Sequence, residues 1–173
     1  MTKKSSQGPV FFDLFSSPVG EMIIVADEQG VRHLDFQDCN RPLPITSDWQ
    51  RNPDFCQEAR AQTLAYFAKE LQHFDLPLAP QGTEFQKLVW QELATIPYGT
   101  FSTYGQMAKN MGRPTASRAI GMANGRNPLS IILPCHRVVG ANRKLTGYRG
   151  GLPIKTFLLK LEGFEIDDQR LMA

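Results

Sequence analysis

The 173-residue chain contains 42% hydrophobic and 21% charged residues, which is close to globular composition and excludes disordered and fibrous classes. No apolar run approaches the ~20 residues that a membrane span requires. Three cysteines without regular spacing argue against a disulfide framework and indicate a reducing compartment. The polar segment 1–8 lacks the apolar core of a signal peptide, so we expect a cytoplasmic protein with no membrane attachment.

Charge is unevenly distributed along the chain. Residues 1–82 carry 7 Lys+Arg and 11 Asp+Glu, a net charge of −4, whereas residues 83–173 carry 12 and 6, a net charge of +6, which together give the total of +2. A basic half favours a phosphate-rich partner. Many surfaces without such a partner also differ by a few charges, so the distribution alone is weak evidence.

The N-terminal half has the pattern of a β-meander followed by a helix. Three short apolar runs, separated by turn segments, predict strands at 10–15, 21–26 and 31–36. A polar loop at 37–52 precedes a helix predicted over 55–68. The apolar face of this helix is predicted from three- and four-residue spacing at Ala59, Leu64, Phe67, Ala68 and Leu71.

Prolines and a glycine at 76–82 predict a linker, which divides the chain into domains 1–82 and 83–173. In the second domain, Thr83 and Gln86 predict a capping box at the start of a helix.

Two short helices are predicted next. The first is capped by Ser102 or Thr103 and closes at Gly112, and the second spans 115–123, which makes the pair a helix-turn-helix candidate. The second helix consists largely of small residues, with Arg118 among them. Such a helix is suited either to tight packing in a core or to close approach to nucleic acid.

Cys135 is the strongest candidate for chemistry. The apolar run 130–133 predicts a buried strand that Pro134 ends, so that the chain turns and presents the thiol at the strand end. His136 and Arg137 adjoin Cys135, and positive or proton-accepting neighbours favour a thiolate. Because neighbours on a strand point to opposite faces, His136 can contact the thiol directly only in a turn. Otherwise a bridging water would carry the proton.

Glu162 is placed to orient His136, which would give the order of nucleophile, base and orienting acid. A lone cysteine is more often a small buried hydrophobic residue, and we interpret Cys39 and Cys56 in that way. Residue chemistry alone supports a catalytic and a structural Cys135 about equally.

The segment 127–140, Asn-Pro-Leu-Ser-Ile-Ile-Leu-Pro-Cys-His-Arg-Val-Val-Gly, closely resembles the active-site signature of methylated-DNA–protein-cysteine methyltransferases. The resemblance extends to Ser-Arg-Ala-Ile-Gly at 117–121, Gly-Tyr-Arg-Gly-Gly at 147–151 and Leu-Glu-Gly at 161–163. It covers residues 83–163, whereas the N-terminal half matches only in general pattern. Motifs in this order and spacing make the resemblance specific.

The resemblance implies an α/β protein. Its N-terminal domain would be ribonuclease-H-like, an antiparallel meander plus a helix, and its C-terminal domain mainly helical and winged helix-turn-helix-like. The implied function is direct-reversal DNA repair by irreversible transfer of the alkyl group of O6-alkylguanine, and less readily O4-alkylthymine, to the protein's own cysteine. The implied partner is double-stranded DNA, bound at the minor groove with the damaged base flipped out. We expect a monomer that reacts once and needs no cofactor.

The resemblance also implies which residues carry out the transfer. Cys135 is the alkyl acceptor, His136 removes its proton through a water molecule, and Glu162 holds His136. Asn127 is the hinge residue, whose side chain ties the helix-turn-helix to the active-site segment.

Further residues are implied in binding the substrate. Tyr104 flanks the pocket and hydrogen-bonds the base, and Arg118 replaces the flipped nucleotide in the stack. Tyr148 and the backbone amide of Arg149 line the pocket, and the carbonyls of Val138 and the acceptor cysteine accept from the base. Arg149 is bulkier than the small residue common at that position in the family.

We expect no metal site. Some members of the family carry a structural zinc, but the remaining histidines and cysteines here lack paired ligand spacing. Three other functions are weighed: a lesion-binding relative that repairs nothing, a helix-turn-helix regulator, and a thiol enzyme unconnected to DNA. The first replaces the acceptor cysteine, the second needs a further DNA-binding region, and the third leaves Arg118 unexplained.

Overall fold

The computed structural model describes residues 8–172, so most of the polar segment 1–8 lies outside the described residues. In this range the strands, in chain order, are β1 (Val10–Ser17), β2 (Gly20–Asp27), β3 (Gly30–Phe36), β4 (Trp49–Arg51), β5 (Ser102–Thr103), β6 (Val138–Val139), β7 (Glu165–Asp167) and β8 (Arg170–Met172). The helices are α1 (Gln57–Phe67), α2 (Glu84–Leu93), α3 (Tyr104–Asn110), α4 (Ser117–Gly125) and α5 (Leu152–Leu161), with a 3-10 helix at Cys135–Arg137.

The N-terminal half forms a four-stranded sheet in the order β3-β2-β1-β4. The three predicted strands are confirmed as an antiparallel meander, and each is slightly longer than its apolar run. β4 lies inside the segment predicted as loop and pairs in parallel with β1. Three residues of a mixed polar segment give too short an alternation for the sequence to reveal this strand.

Helix α1 is confirmed, but its predicted apolar face is partly wrong. Leu64 is 39% exposed and Ala68 is also exposed, while the polar Gln62 and Thr63 are buried beside Ala59 and Tyr66. Burial is possible because both polar side chains are satisfied: Gln62 Nε2 donates to the Asp75 carbonyl at 2.9 Å and Thr63 Oγ1 to the Ala59 carbonyl at 2.8 Å.

The C-terminal half is mainly helical. The predicted capping box is present, with Thr83 Oγ1 accepting from the Gln86 amide at 3.1 Å and the Gln86 side chain accepting from the Thr83 amide at 2.9 Å. Both short helices are confirmed as α3, capped by Thr103, and α4. The indole of Trp90 in α2 donates to the Ala123 carbonyl of α4 at 3.0 Å, which fixes α4 against the core.

The buried strand predicted at 130–133 is wrong. Leu129 makes one parallel bridge with Leu34 of β3, after which the chain turns, and Ile131 adopts a φ of 72°, in the left-handed region. A β-branched residue is strained in that conformation. The apolar run is buried by packing rather than by ladder pairing, a distinction that hydrophobicity alone does not make.

The edge of β3 joins the two halves of the chain. The Val31 amide donates to the Pro77 carbonyl at 2.8 Å, within the predicted linker. Further along β3, the Leu34 amide donates to the Pro128 carbonyl and the Ser130 amide to the Leu34 carbonyl, each at 3.0 Å. The sheet therefore holds the segment that leads to Cys135. Among the described helices, none has the length and apolarity to cross a membrane.

Candidate active site

Cys135 opens the 3-10 helix and is 4% exposed. Its amide donates to the Leu133 carbonyl at 2.7 Å, so the chain turns at Pro134 as predicted, although it does not leave a strand there. Burial raises the pKa of the thiol, while the Asn127 side chain and the Lys155 cation act to lower it. In the folded protein Cys135 is therefore a buried neutral thiol.

His136 and Glu162 are in direct contact, as the sequence predicts. His136 Nε2 lies 2.5 Å from Glu162 Oε2, and both side chains are fully buried. Burial acts to raise the pKa of Glu162, but its hydrogen bonds with His136, Arg137 and Tyr66 outweigh burial and lower that pKa to about 2. The carboxylate is therefore ionised at neutral pH.

The ionised carboxylate fixes the tautomer of His136. Burial lowers the pKa of this histidine despite the opposing effect of Glu162, so the ring is neutral. A neutral ring beside an acceptor-only carboxylate carries its proton on Nε2. The buried Nδ1, which has no hydrogen-bond partner among the described residues, then holds a free lone pair. His136 can accept one proton at Nδ1.

Arg137 is the third member of this buried network. Its Nε donates to Glu162 Oε1 at 2.7 Å and its Nη2 to Oε2 at 3.1 Å, while Nη1 donates to the Ile96 carbonyl at 2.7 Å. The Gly99 amide also donates to Oε1, at 3.2 Å. Glu162 is thus held by residues from the 3-10 helix and from the segment that follows α2.

Asn127 ties the turn that precedes the thiol. Its Nδ2 donates to the Leu133 carbonyl at 2.7 Å, and its Oδ1 accepts from the Leu129 amide at 2.9 Å. Both atoms are buried, so they replace the ladder bonds that a strand would supply. Asn127 lies directly after α4 and its C-cap Arg126.

Lys155 of α5 was not predicted from the sequence. It is fully buried, and its Nζ donates to the Val138 carbonyl at 2.7 Å and the Thr146 carbonyl at 3.3 Å. Burial lowers the pKa of this lysine to about 8, and the nearby Cys135 acts to raise it. The one available signal was its position three and four residues before Leu158 and Leu159 on the apolar face of α5.

An open cleft of about 1100 Å³ lies between the N-terminal loop at 38–41 and the C-terminal elements. Four predicted substrate-binding residues line it: Tyr104, Arg118, Tyr148 and Arg149. Burial is the main cause that raises the pKa values of Tyr104 and Tyr148. Cys135 lies close enough to both tyrosines to raise these pKa values further. Val138, in β6, is fully buried and is not among the residues that line the cleft. The structure thus places four predicted site residues along one cleft and Cys135 near two of them.

Helix α4 forms one wall of the cleft. Ser117, Arg118, Gly121 and Gly125 face it, and Arg118 is exposed. A Cβ on Gly121 would lie 3.8 Å from the ring of Tyr104, so the small residue brings the tyrosine close to the helix. The hydroxyl of Tyr104 hydrogen-bonds Thr146 Oγ1 at 3.0 Å. The small-residue face of α4 is therefore directed toward the cleft and is not buried in the core.

Arg149 forms an ion pair that the sequence did not suggest. Its Nε lies 2.8 Å from Asp35 Oδ2 in β3, although the angle does not make a hydrogen bond. Asp35 is fully buried, and burial raises its pKa to about 6 against the opposing effects of Arg149 and the Phe36 amide. The pair connects the N-terminal sheet to the loop that lines the cleft.

The other two cysteines differ from Cys135. Cys56 is buried, as predicted, and burial raises its pKa to about 11. Cys39 is only half-buried, with its Sγ–H donating to the Phe36 carbonyl at 3.2 Å, and it lines the cleft. Its interpretation as a buried hydrophobic residue is confirmed in part: it packs against the core but is not fully buried, because the loop at 38–41 forms a wall of the cleft.

A buried thiol, backed by a histidine and a carboxylate and lying beside an open cleft with an arginine-bearing helix of small residues, defines a thiol-dependent group-transfer protein. Residues 84–164 match the 6-O-methylguanine DNA methyltransferase DNA binding domain, and residues 10–80 match the ribonuclease-like domain of the same family. The chain belongs to the 6-O-methylguanine DNA methyltransferase family.

Individual relatives agree with this assignment. The methylated-DNA–protein-cysteine methyltransferase of Methanosarcina acetivorans is 53% identical over 154 residues, which cover 89% of this chain and 99% of that protein. The Haemophilus influenzae protein of the same name is 43% identical over 155 residues, 88% of this chain and 86% of the relative. A solved structure of Mycobacterium tuberculosis OGT in complex with DNA is similar, with a TM-score of 0.81, 42% identity and coverage of 88% and 92%.

Proposed function

We propose that this protein is a methylated-DNA–protein-cysteine methyltransferase that repairs O6-alkylguanine, and also O4-alkylthymine, by direct reversal. The observation that carries the proposal is the buried Cys135 beside the His136–Glu162 pair and next to the cleft. Family membership and relatives with this activity over almost the whole chain support it. Because the protein is the alkyl acceptor, no cofactor takes part.

The transfer balances with the residues at hand. The Cys135 thiol gives its proton to His136 Nδ1, directly or through a water molecule, and Glu162 stabilises the imidazolium. The thiolate sulfur then attacks the alkyl carbon, so that a C–S bond forms as the C–O6 bond breaks. The electron pair of that bond leaves with guanine, which takes up one proton from the Tyr104 hydroxyl, and the proton held by His136 returns through water to Tyr104. The thioether has no route back, so each molecule reacts once.

We propose the remaining roles residue by residue. Tyr148 and the Arg149 amide line the pocket for the base, the amide donating to O6. The Val138 carbonyl, which also accepts from Lys155, has a second lone pair for the exocyclic amine of the base. Asn127 keeps the acceptor segment in register with α4.

DNA binding is supported by the family's DNA-binding domain and by the similar structure solved with DNA. We infer minor-groove binding with a flipped base, because chemistry on a base edge requires the nucleotide to leave the duplex. The small residues of α4 allow close approach, and Arg118 fills the vacated space. We also propose that the protein acts as a monomer.

We also propose the finer fold description. The meander with α1 is consistent with a ribonuclease-H-like domain over 1–82, and α3 and α4 with a winged helix-turn-helix-like domain over 83–173. The rival functions are less well supported. Cys135 with its base argues against a protein that only binds lesions, and the exposed Arg118 beside the cleft argues against a thiol enzyme unconnected to DNA.

Incubation with excess O6-methylguanine duplex, followed by peptide mass analysis, tests the proposal. The peptide that carries Cys135 should gain the mass of one CH₂ group, to one equivalent per chain. Cys39→Ser and Cys56→Ser are the matched controls and should gain the same mass, whereas Cys135→Ser should gain none. An unmodified Cys135 in the wild-type protein would refute the proposed function.

The role of Arg118 is tested separately. Arg118→Ala should slow repair of the duplex more than transfer from free O6-benzylguanine, because only the duplex needs a stacked replacement for the flipped base. Arg126→Ala removes the same charge at the C-cap of α4, outside the residues that line the cleft. An equal loss on both substrates for Arg118→Ala, or an equal loss for both variants, would contradict the proposed role.

A further inference from the structure

Tyr66 lies in the last turn of α1, in the N-terminal half, yet its hydroxyl reaches the carboxylate of the C-terminal half. The side chain is fully buried, and its hydroxyl donates to Glu162 Oε2 at 2.6 Å. His136 Nε2 meets the same oxygen at 2.5 Å. One carboxylate oxygen therefore separates Tyr66 from the ring of the proposed base.

The hydroxyl is not required to satisfy the carboxylate. Without it, Oε2 would keep His136 Nε2 and Arg137 Nη2, and Oε1 would keep Arg137 Nε and the Gly99 amide. Removing the hydroxyl alone thus leaves no buried charge without a partner, so the variant is expected to fold. The Tyr66 hydroxyl must then contribute by orienting the Glu162 carboxylate and by stabilising part of its negative charge.

Tyr66 can act only as a donor. Burial, and next the charge of Glu162, raise its pKa far above the ordinary value of 10.0, so it never becomes a phenolate. A hydrogen bond from a neutral donor to an ionised acceptor is short and strong. The bond both fixes the direction of Oε2 and draws negative charge away from the side that faces His136.

We propose that Tyr66 is a positioning residue for alkyl transfer: acting through Glu162, it fixes the His136 ring and limits how tightly that ring holds a proton. The inference rests on the proposed function, since it needs His136 to be the base for Cys135. It also gives the N-terminal half a part in the chemistry, because α1 supplies the donor.

Other charged and titratable groups face this pair from the surrounding elements. They are Arg137 from the 3-10 helix, Tyr98 from the segment after α2 and Lys155 from α5, with Tyr148 near Tyr66; Cys135 adjoins His136 in the chain. Arg137 and Lys155 both disfavour a charged His136. The hydroxyl of Tyr98 is near Glu162 but donates to the Leu161 carbonyl at 3.5 Å, not to the carboxylate.

The sign of the effect follows from this arrangement. When the Tyr66 hydroxyl is removed, Oε2 presents more charge to His136, which raises the pKa of the imidazole. His136 must be neutral to accept the thiol proton, so the acid limb of the pH–rate profile moves to higher pH. A hydrogen bond to a charged group is strong enough for a shift of about half a pH unit or more. The rate on the plateau falls, because the ring is less firmly oriented.

Tyr66→Phe and its matched control Tyr98→Phe test the inference in the full-length protein. Tyr98→Phe removes a hydroxyl from a neighbouring, half-buried ring, since the centroids of the two rings are 6.1 Å apart. The rate of transfer from O6-methylguanine duplex is measured against pH, and the ring nitrogens of His136 are titrated by NMR. We expect an upward shift for Tyr66→Phe in both measurements, with the Tyr98→Phe profile matching wild type.

A second variant should shift the acid limb of the pH–rate profile in the opposite direction, and it changes the shape of the Tyr66 side chain less. Tyr66→3-fluorotyrosine has a more acidic hydroxyl, which donates a stronger hydrogen bond and should move the acid limb to lower pH. Unshifted profiles for both Tyr66 variants would overturn the inference, as would a shift shared with Tyr98→Phe. If wild type itself gained no alkyl group, the proposed function would fail instead, so the two failures are distinguishable.

Discussion

Asp35 is a carboxylate buried where the N-terminal sheet meets the cleft, and its burial should make the protein's stability depend on pH. Burial raises its pKa in the folded protein to about 6, from an ordinary value of 3.8. The folded state thus binds more protons than the unfolded state between these two values. The contribution of Asp35 to stability is fully present below pH 3.8 and is lost as the pH rises through about 6.

The magnitude follows from the two pKa values. Their difference is about 2 pH units, which corresponds to about 3 kcal/mol of unfolding free energy lost across the window. About 2 kcal/mol of this loss falls between about pH 4.5 and about pH 7. In Asp35→Asn the titration is absent, so the variant's stability relative to wild type should increase by that amount over the same interval.

Urea unfolding at several pH values measures the difference between the two proteins. A constant offset from replacing the protonated carboxyl with an amide cancels, because only the change of the difference with pH is used. The attraction to Arg149 acts on the ionised carboxylate and is already part of its pKa. Asp38→Asn, at an exposed position three residues along, is the control for removal of a carboxylate. If the Asp35→Asn difference stayed constant from about pH 4.5 to about pH 7, Asp35 would not be a buried group with a raised pKa.

Two further predictions concern the acceptor segment. Lys155→Met removes the cation that acts to lower the pKa of Cys135, so transfer from free O6-benzylguanine should slow about tenfold or more, for a loss of about 1.4 kcal/mol of thiolate stabilisation; an unchanged rate would exclude a role for the cation. Asn127→Ala leaves a buried carbonyl and a buried amide without their partner, which should lower the unfolding free energy by about 2 kcal/mol or more in urea titrations. A wild-type midpoint for Asn127→Ala would show that the turn does not depend on this side chain.

Short-range patterns in the sequence correctly predicted the strands and helix starts that depend on neighbouring residues. Alternation identified the meander, and the capping residues identified the starts of α2 and α3, because these signals lie within a few residues. The run at 130–133 was mistaken for a strand because only the Ser130 amide pairs with a strand, while the Ile132 and Leu133 amides bond within the turn and the Leu133 carbonyl accepts from the Asn127 side chain. Hydrophobic character reports burial and not which groups satisfy the backbone.

The candidate site also contains residues that local sequence signals predicted and residues that they did not. The linear signature brought Cys135, His136 and Glu162 into one prediction, and the structure brings them together. Tyr66 and Asp35 were missed because they come from α1 and β3, far away in the chain, and carry no local motif. Contacts of this kind depend on how the two halves pack, which spacing along one sequence does not reveal.

The surroundings of Cys135 also explain why we propose this cysteine as the acceptor and not the more accessible Cys39. Proton transfer from Cys135 to His136 creates two opposite charges in a dry site, where their attraction is stronger than in water. Lys155 and Asn127 act to lower the thiol's pKa, and Glu162 stabilises the imidazolium. Cys39 lines the cleft, but among the described residues its Sγ hydrogen-bonds only a backbone carbonyl, that of Phe36. A thiol that is exposed but has no proton acceptor beside it stays unactivated. The proposed reaction therefore requires the damaged nucleobase to enter the cleft and reach Cys135.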